Sequence, residues 1–94
     1  MLEEYFERYY TICSSRGSFG AKLKTWRARE FREALESKTK VISKAGGAII
    51  RFEFDGVECI YVAPDLVIFE LGSGKNSEDA RNFLNKLVEI ISKK

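Results

Sequence analysis

Apolar side chains recur along this chain at two periods, three to four residues in some stretches and two in others, and the switches between them outline its elements. Leu2, Tyr5, Phe6, Tyr9, Ile12 and Cys13 fall three and four apart, with Glu3, Glu4, Glu7 and Arg8 on the other side, which predicts a helix over residues 2–13. Its early glutamates suit the positive end of a helix. Ser14 to Gly20 reads as a loop, with Gly17 as the helix stop. Ala21, Leu23 and Thr25 then alternate with Lys22 and Lys24, predicting a short strand with a lysine face; a helical start at Ser18 is the competing reading. From Trp26 to Ala45 the helical period returns through Phe31, Ala34, Leu35, Val41, Ile42 and Ala45, with Thr25 as cap and Gly46-Gly47 as the end. Because Thr39, Val41 and Ile42 are β-branched, the alternative there is a shorter helix followed by a strand at 39–44.

Residues 48–54 and 57–62 predict a hairpin across Asp55-Gly56, a dipeptide suited to the positive φ angles of a type I′ turn. Pairing Phe54 with Val57 sets Phe52 opposite Cys59 and Ile50 opposite Tyr61, so one face is wholly apolar. The other face carries Arg51, Glu53 and Glu58 near the turn, and Ile49, Ile60 and Val62 farther away. After Ala63-Pro64-Asp65, a third strand over 66–71 is apolar on both sides through Leu66, Val67, Ile68, Phe69 and Leu71, and needs cover on both. A last helix follows the break at 72–74, capped by Asn76 or Ser77, with Ala80, Phe83, Leu84, Leu87, Val88 and Ile91 as its stripe. The expected architecture is one α+β domain over residues 1–94. Its mainly antiparallel sheet has three strands, or four or five if 21–25 and 39–44 join, packed with N-terminal, central and C-terminal helices.

Composition adds bounds. A chain of 94 residues buries only about 60–65% of its unfolded surface, so a second copy packing on it adds stability and a homodimer is expected. No apolar run reaches the roughly 18 residues of a membrane span, and the start is acidic where a signal peptide is basic, which predicts a cytoplasmic protein. Cys13 and Cys59 lie far apart and the chain has no histidine, so both are expected as reduced, buried thiols and no zinc set is complete. The absence of glutamine and histidine, with abundant Lys and Glu, is the composition of a heat-adapted protein.

Charge changes the picture more. The chain nets +2, yet residues 1–20, 21–51 and 52–94 carry −1, +6 and −3. In the basic block, Arg27, Arg29 and Arg32 stand three or four residues from Glu30, Glu33 and Glu36 and are expected to pair along a helix. Lys22, Lys24, Lys38, Lys40, Lys44 and Arg51 have no such neighbours, and with Arg16 they are the candidates for phosphate contacts. Trp26, Tyr5, Tyr9 and Tyr10 are candidate stacking platforms, although their helical spacing also suits a core.

Catalytic chemistry finds little support. Without histidine, a Ser or Cys nucleophile needs an amine base, and no residue pair marks one. Gly72-Ser73-Gly74-Lys75 lies between a strand and a helix like a phosphate loop, but Phe69 occupies the first glycine position and Asn76 the hydroxyl position. Asp65 and Glu70, five apart on a strand, point to opposite faces and make a poor metal pair. No catalytic residue, metal or cofactor is expected.

From Lys22 to about Phe69 the order K-x-K-T, helix, Gly-Gly, hairpin resembles the second half of archaeal Holliday-junction resolvases and related nucleases of the restriction-endonuclease-like fold. Laid over that family, Lys22 stands where its Glu-x-Lys motif has the metal-binding acid, and Lys24 takes the lysine position. The resemblance therefore implies a non-catalytic relative with a phosphate-facing surface. The leading expectation is an accessory protein that contacts DNA or RNA backbone through the basic block 21–51. The rival is a protein-assembly or dimerisation subunit whose interface is the apolar strand 66–71, through Val67, Phe69 and Leu71. A divalent-metal nuclease using Asp65, Glu70 and Lys24 is a third.

Overall fold

The stretch whose spacing predicts an N-terminal helix is extended instead. In the computed structural model, which describes residues 2–93, a 3-10 turn at Leu2–Glu4 leads into strand β1 (Phe6–Cys13). It pairs antiparallel with β2 (Ser18–Leu23), a strand that begins earlier than the expected 21–25. The register of β1 slips twice, between Phe6 and Arg8 and between Thr11 and Cys13. Each bulge moves the following side chains to the other face, so the apolar spacing along β1 imitates a helix.

A second 3-10 turn, Thr25–Arg27, opens helix α1 (Ala28–Lys38). The helix stops well short of Ala45. At Thr39 the backbone turns extended (φ −130°, ψ 171°), and the Thr39 hydroxyl donates to the Leu35 carbonyl at 2.7 Å, satisfying an end-of-helix acceptor. The chain continues as β3 (Lys40–Ala45), so the β-branched cluster at 39–42 prevails over its helical phase, and Gly46-Gly47 lies in a turn between strands. Then follow β4 (Ile49–Phe54), β5 (Val57–Val62), β6 (Leu66–Glu70) and α2 (Ser77–Ser92).

All strands join one antiparallel sheet in the order β1-β2-β6-β5-β4-β3. The expected three-stranded sheet with three helices is thus corrected to a six-stranded sheet with two helices, still α+β. The β4–β5 hairpin has the register read from the sequence, Phe54 against Val57, Phe52 against Cys59 and Ile50 against Tyr61. Asp55 (φ 54°) and Gly56 (φ 74°) supply the two positive φ angles that its turn demands.

Alternation divides the sheet into two faces. Two rows, Phe19-Phe69-Cys59-Phe52-Val41 and Ala21-Val67-Tyr61-Ile50, cross it on the side that both helices cover. From α1, Phe31 meets Phe6, Tyr5 and Tyr61 at centroid distances of 5.6, 6.4 and 6.4 Å. From α2, Phe83 stacks on Phe69 at 4.7 Å and meets Phe54 edge-on at 5.7 Å. Among the described residues, no buried side-chain polar atom lacks a partner. A capping box starts α2: the Asn76 side chain accepts from Glu78 N–H and Asp79 N–H (3.0 and 3.1 Å), and Asp79 accepts from Asn76 N–H (2.9 Å).

Candidate interaction surfaces

The seven candidate phosphate contacts do not share one face. Arg16 stands in the β1–β2 turn, at the opposite end of β2 from Lys22. Lys22 projects from the uncovered side of the sheet, where Glu7 (3.5 Å) and Asp65 (3.7 Å) flank it. Lys24 follows β2, with its ammonium 5.9 Å from the centroid of the Trp26 ring. Lys38 ends α1, and Lys40 lies opposite Glu53 on the edge strand β3. Lys44 turns to the helix side and pairs with Glu36, while Arg51 pairs with Glu58. Three strands separate β2 from β3, a lateral offset of roughly 19 Å at about 4.8 Å per strand spacing, and Lys40 also lies five residues along β3 from Ala45, the end of the Lys22 row. Lys22, Lys44 and Arg51 each have a carboxylate at hand, and the others stand on different elements of the chain.

The apolar strand at 66–71 divides as well. Val67 and Phe69 are buried beneath the helices and Leu71 packs half-buried against the same core, so none of the three expected interface residues offers a free surface for a partner. Their neighbours Leu66 and Ile68 point the other way. There one row runs Tyr10-Gly20-Ile68-Ile60-Arg51-Ser43, and the next runs Arg8-Lys22-Leu66-Val62-Ile49-Ala45. No helix lies over these rows. Tyr10 and Ile49 are 42% and 39% exposed, and Ile60, Val62, Leu66 and Ile68 are half-buried only by one another. The far end of the Tyr10 ring lies against Gly20: a Cβ added there would sit 2.7 Å from the ring, so glycine gives the tyrosine room over the bare backbone. At one end of this face Glu53, Glu58 and Glu70 stand with Lys40 and Arg51, and at the other Arg8 and Lys22 stand with Glu7 and Asp65.

This open face is a candidate surface that the interface reading did not name. The signal was in the sequence, in Ile49, Ile60 and Val62 on the side of the hairpin away from Phe52 and in Leu66 and Ile68 on a strand apolar on both faces. Which of the two sides the helices cover was not.

Titratable groups are shifted by ordinary causes. Burial pushes the Cys59 thiol up to about 12, and burial likewise raises the Tyr5 and Tyr61 phenols. The Cys13 thiol is lowered by its hydrogen bond with Ser15 (3.3 Å) and by backbone donors at Arg16 and Ser15. Glu30 is held below the usual carboxylate range by the Tyr5 hydroxyl and by Arg27. Both cysteines are free thiols. No three His, Cys, Asp or Glu side chains among the described residues lie together as metal ligands, and Asp65 and Glu70 stand at opposite ends of β6. The Gly72–Asn76 loop offers no phosphate cradle, because Asn76 takes two amides of the following helix and Glu78 and Asp79 crowd its first turn with negative charge. Among the described residues, no helix is long and apolar enough to cross a membrane. No protein-family model, curated protein or solved structure matches this chain significantly.

Proposed function

We propose that the chain is an assembly module whose open sheet face packs on a second copy of itself. The observation that carries the reading is the uncovered apolar patch of Tyr10, Ile49, Ile60, Val62, Leu66 and Ile68 on a sheet whose other face is fully occupied by helices. Contiguous apolar surface of this kind marks interaction sites on small proteins.

Three features favour a second copy as the occupant. An isologous interface must complement itself. Here both ends of the face carry mixed charge, Glu53, Glu58 and Glu70 with Lys40 and Arg51 at one and Arg8 and Lys22 with Glu7 and Asp65 at the other, so a second copy meets each end without facing like charge alone. The near balance of charge on this face also suits protein better than a polyanion. Second, both sheet edges resist strand addition: β1 carries two bulges, and β3 carries one at Ile42 together with Lys40 and Lys44. Third, six strands of about six residues make a face of roughly 29 by 20 Å. That is roughly 600 Å² before side-chain relief, the scale of the roughly 800 Å² that each partner buries in a standard interface.

Light scattering and sedimentation test this reading. The wild-type chain should run at twice its 10.8 kDa monomer mass, and Ile68→Asp or Ile60→Asp should yield folded monomers with unchanged circular dichroism. A wild-type monomer at the highest soluble concentration, or Asp variants that dimerise as before, would discard it.

A further inference from the structure

Trp26 is 76% exposed, the most exposed large apolar side chain among the described residues, and it is held there by an ordered turn. The Lys24 carbonyl accepts from Arg27 N–H (2.9 Å) and Ala28 N–H (3.1 Å), Lys24 N–H donates to the Tyr5 carbonyl (2.8 Å), and Leu23 N–H donates to the Asp65 carbonyl (2.7 Å). The indole is thus presented on fixed backbone. Its neighbours are cations of two kinds. Arg27 is engaged, stacked over Tyr5 at 4.7 Å and bonded to Glu30 at 2.7 Å, and Arg29 is bonded to Glu33 at 3.2 Å. Lys24 and Arg32 have no carboxylate within 4.0 Å among the described residues. Beside the turn, on the helix side of the sheet, opens a cleft of about 450 Å³ lined by Thr25, Arg29, Arg32, Tyr61, Pro64 and Asp65.

We infer that this corner binds single-stranded nucleic acid, one base stacking on Trp26 while the adjoining phosphates meet Lys24 beside the ring and Arg32 in the neighbouring cleft. Aromatic stacking is open to any unpaired base, since every base has a π-face, and it adds to cationic contacts with the backbone. A duplex keeps its bases stacked on one another, and two uncompensated cations are few for its charge density. An acidic peptide would satisfy the cations but gains little from a flat exposed indole. The site lies off the open sheet face, so its fate in experiment is independent of dimerisation.

The chain has a single tryptophan, which serves as its own reporter. Titration with a short oligothymidylate at low salt should quench its fluorescence, and anisotropy of the labelled oligonucleotide should give the affinity. Trp26→Ala should weaken binding roughly tenfold, the scale of one lost base stack. Lys24→Gln and Arg32→Gln should each weaken it and flatten the slope of log affinity against log salt by about 0.7, the contribution of one phosphate contact on a single strand. Lys86→Gln, a cation remote from the corner and near Asp55, should change neither. Absence of quenching, unaltered binding by Trp26→Ala, equal losses in the Lys86 and Arg32 variants, or displacement of the oligonucleotide by polyglutamate at equal charge would overturn the inference.

Discussion

The two faces of the sheet are made by the same six strands and end up in opposite situations. On the covered face, Phe19, Phe52, Phe69 and Tyr61 interlock with Phe31 and Phe83 from the helices, and nearly every side chain is out of water. On the open face the apolar residues are mostly aliphatic, the only ring is Tyr10 lying over Gly20, and charged residues fringe both ends. The first face is satisfied within one chain. The second is equally a product of alternation, but nothing in the chain is left to cover it, because both helices are already placed. Period-two patterning therefore reports how many faces of a strand are apolar, and the placement of helices decides which of them stays open.

Substitution on the covered face should have the largest effect. Phe52→Ala removes a fully buried ring from the row under the helices and should cost about 3–5 kcal/mol in urea unfolding, whether the chain is single or paired. A cost below about 1 kcal/mol would mean that the two faces are less distinct than their packing implies. Alkaline titration comes next. The folded Cys59 thiol ionises near 12 and the unfolded one near 9.0, so above pH 9 the unfolded chain releases a proton that the folded chain keeps. Stability should therefore fall by about 1.4 kcal/mol for each pH unit between those values, and Cys59→Ala should remove that part of the decline. In native protein a thiol reagent should label Cys13 fast and Cys59 only on unfolding; equal rates would show that the covered face opens readily. The smallest change is expected from Tyr10→Ala, which strips one half-exposed ring from the open face. Monomer stability should move by less than about 1 kcal/mol, while self-association weakens measurably in sedimentation.

The hairpin was legible to the residue because Asp55-Gly56 names its turn and the apolar partners then align without conflict. The C-terminal helix was equally plain, with a capping box ahead of an uninterrupted stripe. β1 and β3 were obscured by the same device. A bulge shifts alternation by one residue, so Phe6, Tyr9 and Ile12 keep a spacing of three, and Val41 and Ile42 fall in phase with Phe31 and Leu35. Run composition held the correction: Tyr9, Tyr10, Thr11 and Ile12 are strand formers in a row, as are Thr39, Val41 and Ile42 around Lys40. The basic block was real as a count and dispersed as a surface, because a strand-helix-strand path carries consecutive cations to separate parts of the sheet. For Trp26 the sequence allows both a stacking platform and a core residue; its position in a 3-10 turn between β2 and α1, outside any repeating period, is what exposes it.

Kinked rims set the limit of growth for this molecule. A straight sheet border recruits chain after chain, which is how fibres lengthen, whereas the interruptions in β1 and β3 leave no border able to template another strand. Under the proposed pairing, a single twin would use up the open face, and association would stop at a pair and not propagate.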